Sequence, residues 1–249
     1  MQGWKLFIHA VRMIFGNWLE VLRIFLVPAV IGIALAIALV GLGASISAPL
    51  GMPYSAAPIL LFVFLAAFLV YLTIATWCIV AWHRFVLLEE LPTGWVPRFH
   101  KAQIMSYWGQ ILKLVLVFII VALPVGFLVA GFFEASPIVG LLVAVPIYFT
   151  LMVFYIRLSP VLPAAAIGQR ITFGDALQAT RGHAGTFVVL LLSLVGFQLL
   201  LQLPIFLTAT ILPIISAVLS LCASVLASLL NISVLTTLHG HYIEGRPID

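Results

Sequence analysis

Apolar residues run through this chain in long blocks, and polar residues come in short clusters between them. A bilayer core about 30 Å thick takes roughly 20 helical residues at about 1.5 Å each. On that measure the blocks at about 24–44, 58–82, 110–133 and 138–156 each predict one membrane-spanning helix. The last block, about 184–238, is too long for one span and predicts two, folded back between Pro204 and Pro213. The expected fold class is all-α: a polytopic membrane protein with about six transmembrane helices in three hairpins, a single integral membrane domain over 1–249. Pro28, Pro124 and Pro146 fall inside expected spans, where proline is tolerated as a kink.

The polar clusters set the orientation. Lys5, His9 and Arg12 recur at helical spacing among apolar residues, so 4–20 is expected to form an amphipathic helix lying in the membrane plane. Ser45 to Ala57 and Glu134 to Pro137 are short outer turns. The stretches at about 85–107 and 158–183 are inner loops, and Thr172 with Asp175 suggests a capping box opening a short helix in the second. Every lysine and arginine falls on the side of these inner loops and none in the outer turns. The positive-inside rule makes that side cytoplasmic, with both termini there. All six tryptophans and all six histidines map to the same half, as an interfacial anchor belt would. Met1 to Lys5 does not lead into the short apolar core of a cleavable signal, so the first block is expected to be a retained span. A weak internal repeat, Trp18 to Arg23 against Trp108 to Lys113, places a tryptophan and a cation five residues apart where two spans begin.

Composition explains why lipid must be the solvent. The 249 residues are 65% hydrophobic and 7% charged, with a mean hydropathy of +1.31, whereas soluble domains carry about 25% charged residues. A net charge of +4 is too small and scattered for a nucleic-acid partner, but it matters at an anionic membrane surface. Cys78 and Cys222 lie inside apolar blocks at depths roughly 16 Å apart, too far for a disulfide, and are expected to be lipid-buried thiols.

Few residues offer chemistry. No charged residue falls at the bilayer midplane, which weighs against ion-coupled transport. Ser216, Ser220, Ser224 and Ser228 form a seam at a spacing of four on the last span, and Gln198 and Gln202 repeat on the span before it. Equal depth suggests helix-packing hydrogen bonds between Gln202 and Ser216 and between Gln198 and Ser220. His239-Gly-His241 lacks the frame of a metal motif, and Glu89 with Glu90 reads as a solvated balance to Arg84, Arg98 and Lys101. We therefore expect no catalytic residue, no cofactor and no metal. Arg157, Arg170, Arg181 and His183 are the candidate contacts to a lipid phosphate near the start of the fifth span.

Arg157-Leu-Ser-Pro-Val-Leu-Pro-Ala-Ala-Ala-Ile-Gly168, followed by Phe173-Gly-Asp-Ala-Leu-Gln-Ala-Thr-Arg-Gly-His183, resembles a segment of poorly characterised bacterial six-helix membrane proteins. These are the YciC-like inner-membrane family and the membrane domain of some glycerophosphodiester phosphodiesterases. The resemblance covers about 30 residues and implies a bacterial inner-membrane location, without an activity, because no phosphodiesterase domain is attached. The expectation is a non-enzymatic protein that binds membrane lipids, including anionic ones, or a partner membrane protein or second copy. It would do so through a basic, Trp-rich cytoplasmic face. The alternative is a permease for a small molecule or lipid.

Overall fold

The computed structural model describes residues 2–47, 53–92 and 94–248. Every regular element among them is a helix: α1 (Gln2–Gly16), α2 (Trp18–Ser47), α3 (Pro53–Leu88), α4 (Lys101–Ala135), α5 (Pro137–Leu158), α6 (Val161–Ile167), α7 (Phe173–Ala179), α8 (Ala184–Thr208) and α9 (Pro213–Tyr242). Among the described residues, six stretches are long and apolar enough to cross a membrane: α2, α3, α4, α5 with α6, α8, and α9. Their outward side chains are large and apolar; Phe62 is 72% exposed, Phe127 78% and Ile214 81%. Water would not tolerate that surface, so lipid is the solvent and the chain is a multi-pass, all-α membrane protein. Residues 48–52 of the outer turn expected at Ser45 to Ala57 lie outside the described residues.

The helices outrun the hydrocarbon. Where about 20 residues suffice, α3 has 36 and α4 has 35. A nucleated helix extends cheaply, so α4 begins at Lys101, earlier than the apolar block suggests. The inner loop before it contracts to 89–100. Pro28, Pro124 and Pro146, together with Pro58 and Pro204, lie inside continuous helices.

By packing, the chain divides into two compact units, Asn17–Met105 and Met1–Gly16 with Ser106–Asp249. The first contains the α2–α3 hairpin. Gly32 faces Ile74 and Gly43 faces Val63, so one helix descends as the other climbs, which is the register of an antiparallel pair. Phe25 and Trp82, with ring centroids 6.2 Å apart, extend that register toward the polar end. Trp82 and His83 are fully buried, so they are packing residues here and not part of an interfacial belt.

In the second unit α8 and α9 form a hairpin, and α1 packs on both. The face of α1 made by Leu6, Phe7, Ala10 and Ile14 is buried, while Lys5 and Arg12 point out. The amphipathic pattern of 4–20 thus marks a helix whose apolar stripe meets protein, where the sequence suggested lipid. Contact is closest at Gly3, where a Cβ would run into the carbonyl of Thr186 and the amide of Leu190. Gly3→Val should therefore push α1 off α8 and lower stability in detergent by about 1–3 kcal/mol. Gly16→Ala, with open space around its position, should leave the melting temperature near that of the parent.

The seam on α9 works differently from its sequence reading. Ser216 is buried, but its hydroxyl donates to the carbonyl of Ile205 at 3.1 Å, not to Gln202. That carbonyl belongs to the last turn of α8, where helical donors run out. Ser224 and Ser228 donate to carbonyls of their own helix, at 2.7 and 2.8 Å. Gln198 and Gln202 are exposed and Ser220 half-buried. Matched depth fixes the height of two side chains but leaves their azimuth free, and these amides are exposed. Accordingly, Gln198→Leu with Gln202→Leu should not lower thermal stability. Ser216→Ala should lower it by about 0.6 kcal/mol, the typical worth of such a bond in a membrane, in a melt of the same detergent preparation.

Candidate functional site

Functional chemistry has to be sought at the polar helix ends, because the spans are apolar. In the larger unit the connection from α5 to α8 is tightly built. α6 is buried over Val161, Leu162, Pro163 and three successive alanines, Ala164 to Ala166. Small side chains let it lie against α9. It ends at Gly168, whose φ of 83° is the left-handed conformation of a helix C-cap. The amides of Gly168 and Gln169 donate back to Ala165 and Ala164 at 3.2 and 2.9 Å.

The short helix α7 is capped by side chains at both ends. At its start the amide of Asp175 donates to the Thr172 hydroxyl at 3.1 Å. The Asp175 carboxylate accepts from the Thr172 amide and hydroxyl at 2.7 and 2.8 Å. The capping box suggested by the sequence is thus formed. At its end Arg157 donates through Nε to the Thr180 hydroxyl at 3.1 Å and through Nη2 to the Leu177 carbonyl at 3.2 Å. A cation there meets the orphan carbonyls and the negative end of the helix dipole. Arg157 is therefore committed to protein, whereas Arg170, Arg181 and His183 are exposed. The His183 ring meets Tyr242 edge-on, with centroids 5.4 Å apart, and its Nδ1 faces the carbonyl of Arg181 at 3.0 Å.

The C-terminal end of α9 adds a second knot. His239 is wholly buried; its Nδ1 donates to the Pro160 carbonyl at 3.0 Å and its Nε2 faces Glu244 at 3.7 Å. Glu244 in turn pairs with Arg246 at 2.7 Å. Gln2 of α1 donates to His241 Nε2 at 2.7 Å, and His241 Nδ1 donates to the Arg246 carbonyl at 2.9 Å. These histidines clasp the tail, α1 and the start of α6 to one another. Among the described residues, no group of three His, Cys, Asp or Glu side chains is placed to hold a metal ion.

The smaller unit closes its polar end with a chain reversal. Glu89 has a φ of 55°, unusual for a residue with a side chain, and it turns the chain back at the end of α3. Glu90 then meets Arg84, with Nε and Nη2 at 2.8 and 2.7 Å from one carboxylate oxygen. His100 Nε2 is 3.3 Å from the other oxygen. The Arg98 carbonyl faces Trp77 Nε1 at 3.1 Å and His100 Nδ1 at 3.2 Å. Between these groups lies a shallow cleft, walled by Ile24, Ala81, Leu91, Pro92 and Pro97 and bordered by Arg84, Arg98 and His100.

Sequence reasoning missed this triad. It read Glu89 and Glu90 as an equivalent solvated pair, yet only Glu89 is exposed. The available signal was Pro92 and Pro97, which close a tight return that carries His100 back to Glu90. His239 gave no signal at all, since a histidine at a helix end reads the same whether it anchors in lipid headgroups or is packed over.

Searched against known protein families, curated proteins and solved structures, the chain matches none.

The capping box carries a pH dependence. The Thr172 amide and then its hydroxyl hold the Asp175 carboxyl below its ordinary value of 3.8. A lowered folded value means the cap stabilises α7 fully above the ordinary value and is lost as pH falls through the depressed one. Hydrogen exchange at the Asp175 amide, corrected for intrinsic rate, should accelerate in that acid range. Asp175→Asn should remove the acid dependence.

Proposed function

We propose that this chain is a non-enzymatic protein of a bacterial inner membrane whose basic, Trp-rich cytoplasmic face binds anionic lipid. Both termini lie on the cytoplasmic side. The orientation is supported by the absence of lysine and arginine from the outer turns. The location is supported by the resemblance carried by Arg157–Gly168 and Phe173–His183.

One observation carries the binding proposal: α7 is capped from within the protein by Thr172, Asp175 and Arg157, yet Arg170 and Arg181 beside it are exposed. The segment does not need those two cations to fold. Their charge is available to phosphate groups at an acidic leaflet, each basic residue there contributing about 1 kcal/mol.

Purified protein in nanodiscs of phosphatidylcholine and phosphatidylglycerol tests this. The parent should enrich the acidic lipid in its bound shell. Arg170→Gln with Arg181→Gln should weaken that enrichment by about fivefold per cation removed, with the helical circular dichroism signal unchanged. Equal retention of both lipids by the parent would refute the proposal. Solute uptake by reconstituted vesicles would favour the permease reading instead.

A further inference from the structure

We infer a distinct headgroup site in the unit Asn17–Met105, where the mouth of the cleft beside Arg98 takes the phosphate of an anionic phospholipid. This deepens the lipid-binding reading and depends on it, but it uses different residues from those around α7.

Charge comes first. Glu90 is held between Arg84 and His100, so it offsets the Arg84 guanidinium at the cleft floor. Arg98 borders the cleft with its side chain exposed, while its backbone is pinned by Trp77 and His100. Lys101, three residues on, is exposed too. Among the groups that line the cleft, Arg84 and Arg98 outnumber Glu90, so one positive charge is left over.

The surroundings decide the source of the anion. Leu88, Leu91, Trp95, Val96 and Phe99 are between 46% and 68% exposed, all within the end of α3 and the loop that follows it. A loop in water would carry polar turn residues at such positions. Large apolar and aromatic side chains next to cations are the pattern of a segment dipped into the headgroup layer. A free phosphate would match Arg98 and Lys101 yet leave Trp95 and Phe99 uncovered. A phospholipid supplies an anion for the first pair and glycerol and acyl carbons for the second. The cleft has room for little more than a water molecule, so the phosphate is gripped at its mouth and the headgroup is not enclosed. The Trp77–Phe99 edge contact, with centroids 5.5 Å apart, holds the loop near Arg98 against α3.

Nanodiscs of phosphatidylcholine with phosphatidylglycerol brominated on its acyl chains provide the test. The share of fluorescence quenching due to Trp95 is read as the difference between the parent and Trp95→Phe. The expected result is stronger Trp95 quenching by brominated phosphatidylglycerol than by brominated phosphatidylcholine. Arg98→Gln with Lys101→Gln should weaken that preference by about fivefold per cation, and millimolar inorganic phosphate should not abolish it. Trp95 quenching that stays selective in the double variant overturns the inference, and so does full competition by inorganic phosphate, which would make the site one for soluble anions. If the double variant keeps its selectivity while Arg170→Gln with Arg181→Gln loses acidic lipid, this cleft alone is wrong. If the parent enriches no acidic lipid anywhere, the broader reading falls with it.

Discussion

Hydrocarbon offers no hydrogen-bond partner to a peptide group, so each backbone amide and carbonyl within the bilayer must be satisfied by the protein itself. Among the described residues the spans stay helical through Pro28, Pro58, Pro124, Pro146 and Pro204, each of which removes one amide from the ladder without ending the helix. Several hydroxyls in the spans find a partner within their own helix. Thr73, Thr150, Ser193 and Thr208 each donate to the carbonyl four residues back, at 2.8 Å. Hydroxyls satisfied in this way leave little polar attraction between helices, and contact is made by shape. Gly32, Gly43 and Gly140 sit where a neighbouring Ile74, Val63 or Phe133 side chain presses on the backbone.

With the spans spent on solvation and packing, specificity is pushed to the helix ends. There two groups of cations can be told apart. Arg84, Arg157 and Arg246 are drawn into internal partners: Glu90, the C-terminal carbonyl end of α7, and Glu244. Arg98, Lys101, Arg170 and Arg181 are exposed. The first set holds loops that have no hydrophobic core of their own. The second contributes little to folding, because exposed charge pairs are worth about 0–1 kcal/mol. Under the proposed function, these are the cations that would meet anions at a membrane surface.

The spans and the doubled last block were legible in the sequence because hydropathy over about 20 residues is a direct image of the bilayer. The capping box at Thr172 was legible because its bonds are local. The failures share one cause: they needed azimuth or long-range partners. The apolar stripe of Leu6, Phe7, Ala10 and Ile14 predicts a buried face, yet an apolar face reads identically whether lipid or α8 covers it. Gln198 and Gln202 carry a period but no direction. Trp82 and His83 look like belt residues until Phe25 and the helix pairing bury them. Glu90 and His100 are ten residues apart, and the return through Pro92 and Pro97 brings them together.

The segment from Arg157 to His183 shows what a local resemblance can and cannot carry. Its distinctive residues have structural duties. Pro160 offers the carbonyl that receives His239, and the three alanines let α6 lie against α9. Gly168 takes the left-handed turn, and Thr172, Asp175 and Arg157 cap α7. A chain sharing these residues would share the geometry of this connection, whatever it binds. Ligand specificity would then sit in positions the geometry leaves unconstrained, namely Arg170 and Arg181 here and the 89–101 region of the other unit. That is why two proteins could agree over this segment and still differ in what they bind, and why the exposed cations are the residues on which to test function.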